Sequence, residues 1–269
     1  MTRRALLVAA VLSLASASGR ADDAPTQPIA TADHVAMTVA GRAIAGWSIE
    51  LCSGNGAVLL TDEGTFVTVG HGPDVKVVET AARPVTDVPG VALVDGLARS
   101  EEEVRDRCQE LLTLRGREAQ PFLDLALDSK SAEARRRALV FLSRAPLAAL
   151  AGAIRRRVTD DDEDVRSSAL DAYVALRRAD SLKLCIDRLE TDRSPLVQHT
   201  AVQQIGLLAD LRGVDALLQH LANSDDRGVR IATFAALRRI TRKNFGRDED
   251  AWRAWWTNHR DEYLPDESR

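Results

Sequence analysis

The stretch "DDDEDVRSSALDAY", residues 160–173, decides the fold, because the chain repeats it. "SKSAEARRRALVFL" at 129–142, "DRSPLVQHTAVQQI" at 192–205 and "SDDRGVRIATFAAL" at 224–237 align with it throughout. A marker residue stands at Ala134, Val165, Val197 and Val229, at separations of 31, 32 and 32 positions. A fixed period of this length is the signature of a repeat architecture. The residue after the marker is Arg135, Arg166, Gln198 or Arg230. Four places on come Ala138, Ala169, Ala201 and Thr233; five places on, Leu139, Leu170, Val202 and Phe234; eight places on, Leu142, Tyr173, Ile205 and Leu237. These offsets trace one face of an α-helix, with a small residue where a neighbouring helix must come close.

Each unit opens with another apolar helix: "PFLDLAL", "LAALAGAIRRRV", "SLKLCIDRL" and "GVDALLQHL". An earlier helix, "EEEVRDRCQELLTL", fits the second half of a partial first unit, with Val104 and Cys108 in the marker and small positions. Helical hairpins of this size cannot bury their apolar faces alone, and stacking them makes one continuous core, an α-solenoid. The pattern D-x-x-V-R-x-x-A-L, as in "DEDVRSSAL", resembles short HEAT-like, armadillo-like repeats, including those named after phycobilisome lyases, over residues 101–243. The resemblance implies that Arg135, Arg166 and Arg230 pair with acids in the inter-repeat turns, such as Asp160 and Asp192.

A solenoid needs a terminal unit that is apolar inward and polar outward. "FGRDEDAWRAWWTNHR", residues 245–260, supplies a candidate within the C-terminal segment 244–269. Trp252, Trp255 and Trp256 stand at i, i+3 and i+4 and share a helical face, and Asp248, Glu249 and Asp250 precede them at the expected helix N-terminus. The segment resembles an "F-G-x-D-x-x-A-W-x-x-W-W" ending of bacterial HEAT-like proteins. The three tryptophans are expected to form a structural cap, and Trp255→Ala to lower the melting temperature sharply.

Ahead of the repeats the period changes to two. "HVAMTV", "GWSIELC", "AVLLTD", "TFVTV" and "VKVVE" are short β-branched or alternating runs between turn compositions such as "SGNG", "DEG" and "GHGPD", which reads as five strands over residues 34–80. Closing them into a barrel removes unpaired edges. The segment resembles the SH3/Sm-like small barrels of exported bacterial proteins, so the fold class expected is a mainly α solenoid behind a small all-β domain. Residues 81–100, with Pro84, Pro89, Gly90 and Gly96, read as an inter-domain linker. "MTRRALLVAAVLSLASASGRA", residues 1–21, has a basic start, an apolar stretch from Ala5 to Ala17 and small-residue cleavage options. It reads as a secretory signal, with 22–33 as a flexible leader, and places the protein in the periplasm or outside the cell.

Little points to chemistry. The net charge is -4 at pH 7, which gives no electrostatic ground for nucleic acid. Cys52, Cys108 and Cys185 are odd in number and widely spaced, unlike a disulfide framework. The run "TDDDED" at 159–164 lacks the glycine and spacing of a calcium loop and reads as a helix N-cap. His34, His71, His199, His220 and His259 form no His-Glu-x-x-His pattern. No Walker-type loop or nucleophile elbow occurs. The sequence therefore assigns no catalytic, metal or cofactor residue and no cofactor.

What remains is an interaction protein: a non-enzymatic scaffold or adaptor of the cell envelope binding a protein or peptide on its concave face. Two, three and six positions beyond the markers select Arg136, Arg137, Ser167, Ser168, Asp171, His199, Thr200, Gln203 and Ile231 as partner-binding residues. The alternatives are a lyase-like or chromophore-binding HEAT-repeat enzyme, which needs a tetrapyrrole-sized groove, and a HEAT-like nucleic-acid binder, which needs a basic concave stripe.

Overall fold

A computed structural model describes residues 30–51, 57–70 and 74–264. The signal, most of the leader, Cys52 and His71 lie outside the described residues.

Five strands, β1 (Thr31–Val39), β2 (Arg42–Leu51), β3 (Ala57–Thr61), β4 (Phe66–Val69) and β5 (Val75–Pro84), form one antiparallel sheet of order β4-β3-β2-β1-β5. The β3–β4 connection turns at Gly64, whose φ of 83° suits a residue without Cβ. The expected closure into a barrel is not made: β4 and β5 remain edges. The sheet nevertheless curls, helped by register shifts at Ala36/Met37 and Ser48/Glu50. Val35, Met37, Leu59 and Val69 gather on its inner side, joined by Val67 and Val75 from the two edge strands. Its outer side carries Ala32, Trp47, Ile49, Val58 and Leu60, which share a core with the first helices. With one face covered by helices, the sheet buries its apolar residues without closing.

The expected linker is a structured element. β5 runs to Pro84, a 3-10 turn spans Val85–Asp87, and helix α1 (Gly90–Gly96) follows, with Val85, Val88, Leu93 and Leu97 buried. α1 pairs with α2 (Glu102–Leu114) and packs on α3 (Gln120–Leu127), completing the first hairpin. The glycines serve close packing: a Cβ at Gly96 would overlap the Cys108 sulfur, and one at Gly90 the Phe122 ring. Arg115 fastens the turn to α2, donating from Nε to the Val85 carbonyl at 3.2 Å and from Nη2 to those of Thr86 and Val88.

From there first and second helices alternate: α3, then α4 (Ala132–Arg144), α5 (Ala151–Arg157), α6 (Glu163–Leu176), α7 (Leu182–Thr191), α8 (Pro195–Leu208), α9 (Val214–Asn223), α10 (Arg227–Thr241) and α11 (Glu249–Tyr263). Every marker and every residue four, five and eight places beyond it is buried. Second helices pack extensively on one another, α4 on α6, α6 on α8 and α8 on α10, whereas first helices touch less. The second-helix layer is therefore the tighter, concave one. At the far end α11 covers α9, with Trp252 and Trp256 1% and 3% exposed. Trp256 Nε1 donates to Asp215 at 2.7 Å, and Phe245 meets Trp252 edge-on at 4.9 Å. Trp255 departs from expectation. It is only partly buried, stacked on His259 at 5.2 Å with the Lys243 ammonium 5.8 Å away.

Candidate functional site

Three side chains set the start of second helices in the same way. Ser131, Asp162 and Asp226, each three places before a marker, accept from the backbone N–H of Ala134, Val165 and Val229 at 3.3, 3.1 and 2.8 Å, the N-cap bond that satisfies an orphan donor. The residue after the marker then ties each helix to its own entry turn. Arg135, Arg166, Gln198 and Arg230 donate to the carbonyls of Ser129, Asp160, Asp192 and Ser224, always six positions back. Arg105 does the same to Arg99, a rung the sequence reading missed.

The arginines also reach the next unit, as the family resemblance implied. Arg135 grips Asp160 through Nε at 2.9 Å and Nη2 at 2.7 Å, and Arg166 grips Asp192 at 2.8 and 3.0 Å. Arg230 instead meets Glu249 of α11 at 3.1 Å. Burial raises the Asp160 and Asp192 carboxyls, but the hydrogen bonds they accept outweigh it and leave both below their ordinary range. Within the acidic run at 159–164, Asp162 thus serves as the cap and Asp160 as a pairing partner.

With the helices clamped in phase, the residues selected from the sequence fall into three groups. Arg137 and Thr200 are buried, which corrects their assignment as outward contacts. Arg137 is held by Asp106 at 2.7 Å and Glu133 at 2.6 Å, and the Thr200 hydroxyl lies 2.8 Å from that of Ser167. Asp171 is likewise engaged, accepting from Gln204 Nε2 at 2.7 Å; burial raises its carboxyl pKa and the Gln204 bond lowers it less. Arg136 is part-buried against Glu133 at 2.8 Å, and Ser168 is half-buried. His199, Gln203 and Ile231 come together.

Those three line a groove of about 520 Å³ between α8 and α10, with Leu207, Ala232, Ala235 and Arg239. Ile231 is 41% exposed, and no carboxylate lines the groove. A smaller hollow of about 340 Å³ lies on the same layer between α2 and α4, lined by Asp106, Gln109, Arg136, Arg137, Val140 and Arg144. Val140 stands six places beyond Ala134 yet was not among the residues selected, and Arg144, Leu207 and Arg239 were missed because they stand ten places beyond their markers.

The other titratable candidates are scattered. His220 lies at the turn edge, in a hollow of about 390 Å³, and burial and then Arg230 lower its pKa. His34 contacts Asp62 at 2.9 Å and His259 the Trp255 carbonyl at 2.8 Å. Cys108 and Cys185 sit in separate cores, where burial pushes each thiol up to about 12. Among the described residues no three His, Cys, Asp or Glu side chains gather as metal ligands, and no helix is long and apolar enough to cross a membrane.

No protein-family model matches this chain, and no curated protein does. Among solved structures, one engineered protein is 20% identical, with 59% of this chain and 81% of that one covered at a TM-score of 0.36. A second engineered protein is 19% identical over 58% of this chain and 48% of its own, at 0.38. A designed armadillo repeat protein is 19% identical over 56% of this chain and 82% of its own, at 0.37.

Proposed function

We propose that the protein is a non-enzymatic scaffold that holds a protein or peptide segment against its second-helix face, and that it works in the periplasm or outside the cell. The observation that carries this reading is the groove between α8 and α10, with Ile231 exposed in it and His199, Gln203 and Arg239 around it. An exposed large apolar side chain among convergent polar groups is the common dress of an interaction site. The basic start, apolar stretch and Ala15-Ser16-Ala17 of the leader support export. The curled sheet keeps the strand number and both-sided apolar pattern of the small-barrel resemblance, and the sequence-level likeness to lyase-type HEAT repeats extends here to the repeat only.

A photo-reactive residue placed at Gln203 or Ile231, in the full chain expressed in its native envelope, tests the reading. One partner band from these positions is expected, with little from Asp187 or Glu190 on a first helix. Equal adducts from both layers would reject the assignment of the face.

A further inference from the structure

The position ten places beyond each marker forms a row across the concave layer: Leu114, Arg144, Ala175, Leu207 and Arg239 on α2, α4, α6, α8 and α10. All five are exposed. Leu114 and Leu207 show 43% and 36% of their surface. The row holds no carboxylate, and neither Arg144 nor Arg239 makes an ion pair with a described residue. Nearer the starts of the same helices, Arg105, Arg135, Arg136, Arg137, Arg166 and Arg230 are each engaged by acids.

Packed helices lie about 8–10 Å apart. A polyproline II segment advances about 3.1 Å per residue with three residues per turn, so every third side chain returns to the same face after about 9 Å. A flat β-strand, alternating with period two, cannot keep successive third residues on one side. At such a helix separation the polyproline form places one turn on each repeat.

We infer that the partner segment is an extended, polyproline-II chain whose acidic residues face Arg144 and Arg239 and whose aliphatic residues face Ala175 and Leu207. Its pattern is acid-x-x-aliphatic-x-x-aliphatic-x-x-acid. The cations set the spacing of the acids, and the apolar pair between them, with Leu207 in the Ile231 groove, supplies buried area. This rests on the proposed second-helix face and adds the chemistry of its occupant.

The probe is a fluorescein-labelled peptide, Glu-Pro-Pro-Leu-Pro-Pro-Leu-Pro-Pro-Glu, titrated with the full chain lacking its leader and read by fluorescence anisotropy. It is compared with the same peptide carrying Lys at both ends, and with one in which a single Pro has been removed from each Pro-Pro pair. The acidic probe is expected to bind at least tenfold more tightly than either control, and less tightly as salt rises. Arg144→Glu and Arg239→Glu, both exposed and outside the core, should each weaken it severalfold without moving the melting temperature. The doubly reversed protein should prefer the lysine peptide. Equal binding of the acidic and lysine probes, or no binding of the acidic probe at millimolar concentration, would overturn the inference. If adducts from Gln203 and Ile231 persisted in that case, the face would stand and only its occupant would be misjudged; if they were also lost, the face itself would fall.

Discussion

Arg166 joins two repeats with one side chain. Its Nη1 serves the Asp160 and Asp161 carbonyls of its own turn, while Nε and Nη2 grip Asp192 of the next. The Asp192 side chain is only 4% exposed, so Arg166→Met leaves a buried carboxylate with only Arg188, at 4.0 Å, as counter-ion, and up to about 3–5 kcal/mol of stability is expected to go. The chain itself shows a milder alternative. Where the next turn carries Ser224 instead of an aspartate, the rung residue is Gln198, so neither half is left charged and alone. Arg166→Gln with Asp192→Ser is accordingly expected to cost less than either single change, as read in a urea double-mutant cycle. Acid should weaken the charged rungs. The folded pKa values of Asp160 and Asp192 lie below the unfolded value of about 3.9. Their contribution is therefore full above that value and is lost as pH falls through the folded one. Melts between about pH 6 and pH 2.5 should drop more steeply for the native chain than for the neutralised double variant, and parallel curves would deny the aspartates this role. The rungs were legible through the family resemblance, carried onto the arginines that the repeat places after its markers. Arg105 was not, since its turn, "ARSEEE", shares no acid pattern with the others.

At the scale of the helix, α11 shows what a spacing rule can and cannot give. Positions i, i+3 and i+4 place three indoles on one side of the helix, but the angle at which that side meets α9 is a tertiary matter. Trp252 and Trp256 take the centre, with their Nε1 groups satisfied by the Gly246 carbonyl at 3.3 Å and by Asp215; Trp255 is left at the rim. Trp252→Ala is thus expected to cost about 3–5 kcal/mol, the usual range for a buried large aromatic, and Trp255→Ala markedly less. Thermal melts of the two variants decide it: a larger loss from Trp255 would restore the expectation drawn from sequence alone. Helix α1 was missed for the opposite reason. Glycine and proline punctuate turns more often than they pack helices, and nothing local distinguishes Gly96 against Cys108 from a glycine that merely bends the chain. The strands were legible by alternation, but closure was not, because it depends on what covers the outer face.

Apart from the small cluster on the inner side of the sheet, the apolar interior is divided in two, and α6 is the seam. Val165, Ala169, Ala172 and Tyr173 of that helix belong to the core reaching back to the sheet, while Leu170 and Val174 belong to the one running on to α11. Each core is closed at its outer end by tryptophan: Trp47 of the sheet, 2% exposed, and the Trp252–Trp256 pair of α11. In a stack where units touch only their neighbours, stability is close to a sum of local terms, so damage at one end should fade before it reaches the other. Trp47→Ala is expected to raise amide exchange in β2, α1 and α2, by up to the few kcal/mol that such a truncation removes, and to leave α10 and α11 near their native protection. Trp252→Ala should do the reverse, with the boundary between protected and exposed amides falling at α6 in both. Native-state hydrogen exchange resolved by peptide reads this directly. Equal loss of protection in α2 and α10 after either substitution would mean that the sheet, the repeats and the terminal helix unfold as one body, and that α6 divides nothing.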